Sequence, residues 1–214
     1  MRLKPSKRQL LGLLPTGIAQ TRGAVGDGAR YLTFDDGPHP EHTPRLLDLL
    51  QANGARASFF VIGKHAERYP RLVERIVADG HLLGNHSWNH DHYDHLGLAE
   101  QLAELDRTDA LLARFDGRAR HRVRTPQGVL PLPLLFALAR RRRSVAYWSY
   151  DSLDYRKPPV AELVGRLQRV PPMAGDIVLM HDDNALACDA LAQLLPVWCA
   201  TGFRFLSLSP ERSQ

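Results

Sequence analysis

Two adjacent carboxylates, Asp35 and Asp36, end a short apolar run and precede the turn Gly37-Pro38. Neighbouring carboxylates repel one another, and a nearby cation removes that cost. Alone, the pair reads equally well as an acidic surface turn, because Asp-Gly-Pro is ordinary turn chemistry. It does not stand alone, since His86-Ser87-Trp88-Asn89-His90 sets two imidazoles four residues apart. On a helical turn that spacing projects both rings from one face toward a shared metal ion. Two histidines and one carboxylate, with positions left for water or substrate, are the donor set of a hydrolytic metal centre. His81, His92 and His95 flank the pair, so a histidine-rich surface tract is the bland alternative. Such a tract would not explain why the spaced pair follows the end of a strand. His92 and His95 are rival ligands by spacing, and Asp91 and Asp94 read as solvated.

These residues must be carried to one place. From residue 30 onward, short apolar runs rich in β-branched and aromatic residues alternate with segments whose apolar positions recur three and four apart. The pattern predicts strands over 31–34, 57–62, 81–84, 122–124, 145–150, 176–180 and 203–208. It predicts helices over 43–52, 69–79, 98–115, 133–143, 160–168 and 184–200. Asn53-Gly54, Asp79-Gly80 and Thr201-Gly202 supply glycine stops at helix ends. Such a βα alternation suits either an open doubly wound sheet or a compact barrel, and the pattern does not choose. In both, chemistry sits at the C-terminal ends of strands. The polar clusters fall there: Asp35-Asp36 after the first strand, Asn85-His86 after the third, Thr125-Pro126 after the fourth, 151–154 after the fifth and His181 after the sixth.

The 214 residues are 44% hydrophobic and 24% charged, which suits one globular domain. The expected division is an N-terminal extension over 1–28 and a domain over 29–210. Lys4, Lys7 and Arg8 before the apolar stretch 10–14 resemble the start of an export signal, but the stretch is short and ends at Pro15. It is therefore read as unprocessed, and a cytoplasmic location is favoured over an extracytoplasmic one. Cys188 and Cys199 share one predicted helix, about 16 Å apart along its axis, too far for a disulfide. No apolar run is long enough to span a membrane. The formal charge of +5 and the run Arg140-Arg141-Arg142-Arg143 raise a nucleic-acid partner. Four arginines at the end of a helix are the commoner solvated cap on its negative pole, so no nucleic acid is expected.

Five segments carry a resemblance: Thr33-Phe34-Asp35-Asp36-Gly37-Pro38, His86-Ser87-Trp88-Asn89-His90, Arg124-Thr125-Pro126-Gln127-Gly128, Asp151-Ser152-Leu153-Asp154-Tyr155 and Leu179-Met180-His181. In order along the chain, they resemble the successive motifs of the NodB-like polysaccharide deacetylases, carbohydrate esterase family 4. For the fold, the resemblance implies the α/β class, a distorted (β/α)7-type barrel of the NodB homology domain. It implies Asp35 as catalytic base, and Asp36, His86 and His90 as ligands of a divalent metal ion, usually zinc, with cobalt or nickel as substitutes. Arg124 resembles the arginine that pairs with the base, and His181 the general acid oriented by Asp154. Pro126, Gln127, Tyr155 and Leu179 take substrate-side positions, with the Gln127 backbone N–H as an oxyanion donor and Leu179 lining the acetyl-methyl pocket.

The implied partner is an N-acetylated glycan, and the implied reaction is metal-dependent removal of its acetyl group. An O-acetyl esterase with the same machinery and an inactive carbohydrate-binding protein on this fold are the rivals. The intact Asp35, Asp36, His86, His90 and His181 speak against the second. Position 127 is more often aromatic in the family, and Tyr155 stands where tryptophan is usual. Those departures predict a preference for short or soluble glycans. Trp88 or Trp148 could compensate, although Trp148, on an apolar strand, reads as core. The sequence leaves the oligomeric state open.

Overall fold

A computed structural model describes residues 7–26 and 28–211. The strands are β1 (Ala19–Gln20), β2 (Ala29–Asp35), β3 (Ala57–Val61), β4 (Leu82–Asn85), β5 (Arg122–Val123), β6 (Val145–Ala146), β7 (Tyr150–Asp151), β8 (Ile177–His181) and β9 (Arg204–Phe205). They form one parallel sheet in the order β1-β6-β5-β4-β3-β2-β8-β7, with β9 paired to β2. Around it lie α1 (Lys7–Leu11), α2 (His42–Ala52), α3 (Gly63–Arg68), α4 (Pro70–Ala78), α5 (Leu98–Asp116), α6 (Leu132–Arg140), α7 (Val160–Arg169) and α8 (Leu186–Ala200). The long central strands β2 and β3 are buried along almost their whole length, which is why they read as continuous apolar runs.

The predicted strand over 145–150 is two strands. Its first part, β6, pairs with β5, and its last, β7, pairs with β8, so one stretch of chain joins the two ends of the sheet. Between them Tyr147 donates its N–H to Gln20 O at 2.8 Å and Ser149 donates to Ile177 O at 3.0 Å. Neighbours that diverge with the twist cannot both be bonded along one straight strand, so the ladder breaks and the sheet curls into an incompletely closed barrel. This is the (β/α)-type barrel that the resemblance implies.

Along β2 alternate residues face opposite ways. Leu32 and Phe34 join the main apolar cluster with Leu46, Leu50, Ile76, Leu163, Leu191 and Leu195 of the helices. Tyr31 belongs to a separate cluster with Phe60, Leu82, Ala146 and Ile177. Leu191 is fully buried. Leu191→Ala is expected to lower stability by about 2–5 kcal/mol without changing turnover per folded molecule, read from urea midpoints at constant slope.

Three expectations need adjustment. The boundary drawn at residue 29 leaves part of the sheet outside, because β1 pairs with β6, and Arg22 forms a bridge with Asp176. A strand of two residues has no periodicity to detect. The arginine run is not uniformly solvated: α6 stops at Arg140, Arg142 adopts φ 53°, and Arg143 turns inward to Asp109 at 2.6 Å with 2% exposure. Helix α3, whose six residues carry no repeating apolar face, was not predicted. Both cysteines lie on α8 as free thiols, as expected. Among the described residues, no helix is long and apolar enough to cross a membrane.

Candidate active site

Strand β2 delivers Asp35 and Asp36 to the C-terminal mouth of the barrel, and they diverge there because Asp36 has φ 76°. Asp35 is 3% exposed and receives Arg124 Nη1 on Oδ1 at 2.7 Å. The same Nη1 donates to Thr33 Oγ1 at 2.7 Å, and Arg124 Nε donates to Ala146 O at 3.1 Å. The guanidinium lies over the Phe60 ring at 4.1 Å. A buried arginine so fixed is a permanent charge partner for Asp35.

Asp36 faces two histidines, its Oδ1 lying 3.3 Å from His86 Nε2 and 3.1 Å from His90 Nε2. One ligand atom from each of the three lies within 4.8 Å of the others. His86 Nδ1 donates to Arg124 O at 2.7 Å, which leaves the Nε2 lone pair aimed at Asp36. Asp36 Oδ1 is buried and has no hydrogen-bond partner. Electron-rich atoms turned on one another are costly unless a cation lies between them, so this donor set fits a divalent metal. A proton on each Nε2 is the other way to relieve this contact: burial alone would raise the Asp36 carboxyl, but charged His86 and His90 outweigh it and hold it well below the usual carboxylate range. Burial would depress the His86 imidazole, and the Asp35 and Asp36 charges reverse that.

The two histidines come together by a route different from the one predicted. Residues 86–90 are a loop, not a helical turn, with Ser87 at φ 66° and His90 at φ 63°. Non-glycine residues hold such conformations only where the surroundings over-determine them. Here Asn85 Oδ1 accepts the Ser87 N–H at 3.0 Å, and Ser87 Oγ accepts the His90 N–H at 3.0 Å. Glu104 of α5 takes the N–H groups of Trp88 and Asn89 at 3.0 and 2.6 Å. The rivals His92 and His95 stack on each other with centroids 4.8 Å apart and lie outside the donor set. Asp91 and Asp94 are exposed, as expected.

On the strand next to β2, β8 ends at His181, which pairs in register with Asp35. The His181 Nδ1 donates to Asp154 Oδ1 at 2.9 Å, and its backbone N–H donates to Asp154 Oδ2 at 2.7 Å. Ser152 Oγ donates to Asp154 Oδ1 at 2.9 Å, so the carboxylate is fixed before it fixes the imidazole. Burial would lower the His181 pKa, but Asp154, then Asp35 and Asp36, push it up to about 9. A neutral-pH imidazolium therefore faces the aspartates.

A cleft of about 410 Å³ joins these groups, lined by Asp35, Asp36, His86, His90 and His181 with Gln127, Trp148, Asp151, Tyr155, Lys157 and Leu179. Of the predicted substrate-side residues, Gln127, Tyr155 and Leu179 line the cleft, whereas Pro126 is buried beside it. The two tryptophans exchange places relative to expectation. Trp148 lines the cleft, stacked on Tyr147 at 4.0 Å. Trp88 is 4% exposed and is covered by Arg107 at 3.5 Å.

Supports absent from the sequence reading surround the Asp36 turn. His65 Nδ1 donates to Asp36 O at 2.8 Å, and the Ile62 N–H donates to Gly37 O at 3.0 Å. Behind Gly37 lies Asp182, whose carboxyl burial pushes up to about 7; Thr43 donates to it at 2.5 Å. A Cβ at Gly37 would fall 2.3 Å from Asp182 Oδ1, so only glycine fits there. His65 and Asp182 gave no sequence signal beyond their type, because each acts across a gap in the chain.

The family profile described as polysaccharide deacetylase matches residues 22–140, more than half of the chain. A chitooligosaccharide deacetylase of Sinorhizobium fredii is 34% identical over 204 residues, which cover 87% of this chain and 93% of that one. A peptidoglycan-N-acetylglucosamine deacetylase of Bacillus cereus is 32% identical over 206 residues, covering 92% and 94%. Among solved structures, the Bc1960 peptidoglycan N-acetylglucosamine deacetylase, in complex with a naphthalenyl N-oxidanyl-benzamide, superposes with a TM-score of 0.83 at 28% identity, covering 91% and 95%. The order of motifs, the barrel that presents them and these likenesses agree, and the chain belongs to the polysaccharide deacetylase family, carbohydrate esterase family 4, as a NodB homology domain.

Proposed function

We propose that this protein is a metal-dependent carbohydrate N-deacetylase, removing the acetyl group from an N-acetylated sugar of an oligosaccharide, polysaccharide or glycan intermediate. The observation that carries this reading is that the Asp36, His86 and His90 donor set shares one cleft with Asp35 and with His181, the residue paired with Asp35 on the neighbouring strand. The named activities of the similar deacetylases support the carbohydrate class. The N-oxidanyl-benzamide bound by the structural neighbour belongs to a chelating class, which supports a metal.

Asp36, His86 and His90 would hold a divalent ion, zinc being the first choice for two imidazoles and a carboxylate. When bound, it would supply Lewis acidity toward the acetyl carbonyl and toward water. Asp35, kept oriented by Arg124, takes a proton from the attacking water, and His181 gives one to the leaving amine. The Gln127 N–H would donate to the oxygen on which charge develops; the turn's own bonds use the Gly128 and Val129 N–H groups. Leu179, 4% exposed, gives the acetyl methyl an apolar wall, and Trp148 offers a face for a sugar ring.

The test is acetate release from N-acetylated chitooligosaccharides, peptidoglycan fragments and O-acetylated xylan, before and after chelation. Turnover on the N-acetylated substrates is expected to vanish with the metal and return with added zinc or cobalt. Full activity in a metal-free preparation refutes the metal reading, and release from the O-acetylated polymer alone assigns an esterase. Because Gln127 and Tyr155 replace bulkier aromatic platforms, short soluble glycans are expected to exceed insoluble chitin in kcat/KM. The reverse order removes that inference.

A further inference from the structure

We infer that the segment carrying α1 is a working part of the substrate cleft, in which Lys7 and Arg8 are positioning residues that tie the Gln127–Gly128 turn to the Trp148 loop. This rests on the deacetylase reading for the role of the Gln127 N–H. The tie itself is geometric. Lys7 Nζ donates to Gly128 O at 2.6 Å, and the Arg8 guanidinium donates to Ser149 O. Two consecutive residues of one short helix thus hold the carbonyls of two loops that line the same side of the cleft.

The first of these loops is conformationally demanding. Gln127 and Gly128 adopt φ 53° and φ 65°, with the Val129 N–H donating to Pro126 O at 2.9 Å. That is a tight turn with both central residues left-handed, which the glycine tolerates and the glutamine does not prefer. Gly128 also packs against the second loop, since a Cβ there would fall 2.6 Å from Trp148 Cη2 and 3.1 Å from the Tyr147 hydroxyl. A charge-assisted bond to the carbonyl leaving the turn opposes relaxation of this pair toward right-handed conformations. Any such relaxation would re-aim the Gln127 N–H and free the Trp148 ring.

The helix is anchored well enough to act as a fixed post. Leu11 is buried in an apolar cluster with Tyr93, Leu130, Leu134 and Tyr147, and Leu14 packs against it. Lys7 is exposed, and partial desolvation lowers its pKa against the opposing charge of Asp94. An ammonium placed there is matched by the carbonyl it meets and by that carboxylate. What distinguishes Lys7 from an ordinary surface lysine is that bond to Gly128 O.

The experiment compares the wild type with Lys7→Met, which keeps the apolar stem, and with Lys7→Arg, which keeps the donor. Each is read by kcat and KM on an N-acetylated chitooligosaccharide, by thermal midpoint, by zinc affinity and by amide exchange over 125–129. Lys7→Met is expected to lower kcat by about tenfold, the scale set by small misplacements of an otherwise intact site. Its exchange over 125–129 should quicken while midpoint and zinc affinity hold, and Lys7→Arg should recover most of the loss. Arg8→Met is expected to act chiefly on KM, through Trp148. Unchanged kcat and unchanged exchange in Lys7→Met overturn the inference, as does a loss of kcat that merely follows a fall in thermal midpoint. If the wild type releases no acetate from any substrate, the deacetylase reading fails, and the exchange contrast still decides the tie.

Discussion

Asp35→Asn is expected to cut turnover by about 10²–10⁴, the usual worth of a positioned acid or base, while zinc affinity stays close to that of the wild type. The two halves of this expectation come from different carboxylates. Asp36 Oδ1 lies 3.1 and 3.3 Å from the two histidine Nε2 atoms, whereas the nearest Asp35 oxygen is 3.8 Å from His86 Nε2 and its partner oxygen is held by Arg124. An asparagine at position 35 can still accept from Arg124, but it cannot take a proton from water. Removing the charge also leaves a guanidinium that is 1% exposed without its counter-ion, and breaking such a pair typically costs about 3–5 kcal/mol. Turnover must therefore be referred to folded protein, measured by unfolding under the assay conditions. Loss of zinc from Asp35→Asn at full foldedness would reassign Asp35 as a ligand. Unimpaired turnover would remove it from the chemistry.

The positions of the acid, the base and the donor set were legible in the sequence because their carriers are. Asp35 and His181 end β2 and β8, which pair with each other through Tyr31↔Ile177 to Asp35↔His181. Both are interior strands of a parallel sheet, so each is an unbroken apolar run whose end is easy to find, and parallel register then places both ends at one mouth. The His86 and His90 pair was found for a reason that does not hold in the fold. Their spacing suggested a helical turn, and two left-handed residues in a loop achieve the same convergence. That loop depends on Asn85 and on Glu104 from α5, contacts which no local pattern encodes.

The same physics explains what the sequence could not show. Trp148 sits where the predicted apolar strand breaks between β6 and β7, so membership of that strand does not place its side chain in the core. Trp88 fell in a polar motif and still went inward, beneath Arg107 and against Gly63, where a Cβ would lie 2.4 Å from its ring. His65, Asp182 and Lys7 each act on a backbone carbonyl or turn far away in the chain. Only the tertiary structure brings them there.

His181→Ala and Asp154→Asn separate proton donation from every other step. The His181 pKa of about 9 lies above its ordinary value of 6.5 because Asp154 accepts from Nδ1 and adds its charge, against the burial that would lower it. The imidazolium is therefore present below about 9 and is lost as pH rises through that value, so kcat/KM on an amide should fall along its alkaline limb there. The sign for folding is the same: the charged pair contributes stability in full below 6.5, and that contribution fades between 6.5 and about 9. Asp154→Asn removes the hydrogen bond and the charge of Asp154, the two largest raising influences, and leaves those of Asp35 and Asp36, so its alkaline limb should move from about 9 to lower pH while the Asp36, His86 and His90 set is untouched. His181→Ala is expected to slow amide hydrolysis by about 10²–10⁴. An aryl acetate, whose leaving group departs without a proton, should lose far less. The contrast between the two substrates is decisive, because a histidine acting on attack or on the metal would be missed equally by both. Equal losses on amide and aryl ester, or an alkaline limb that stays near 9 in Asp154→Asn, would take the general-acid role away from His181.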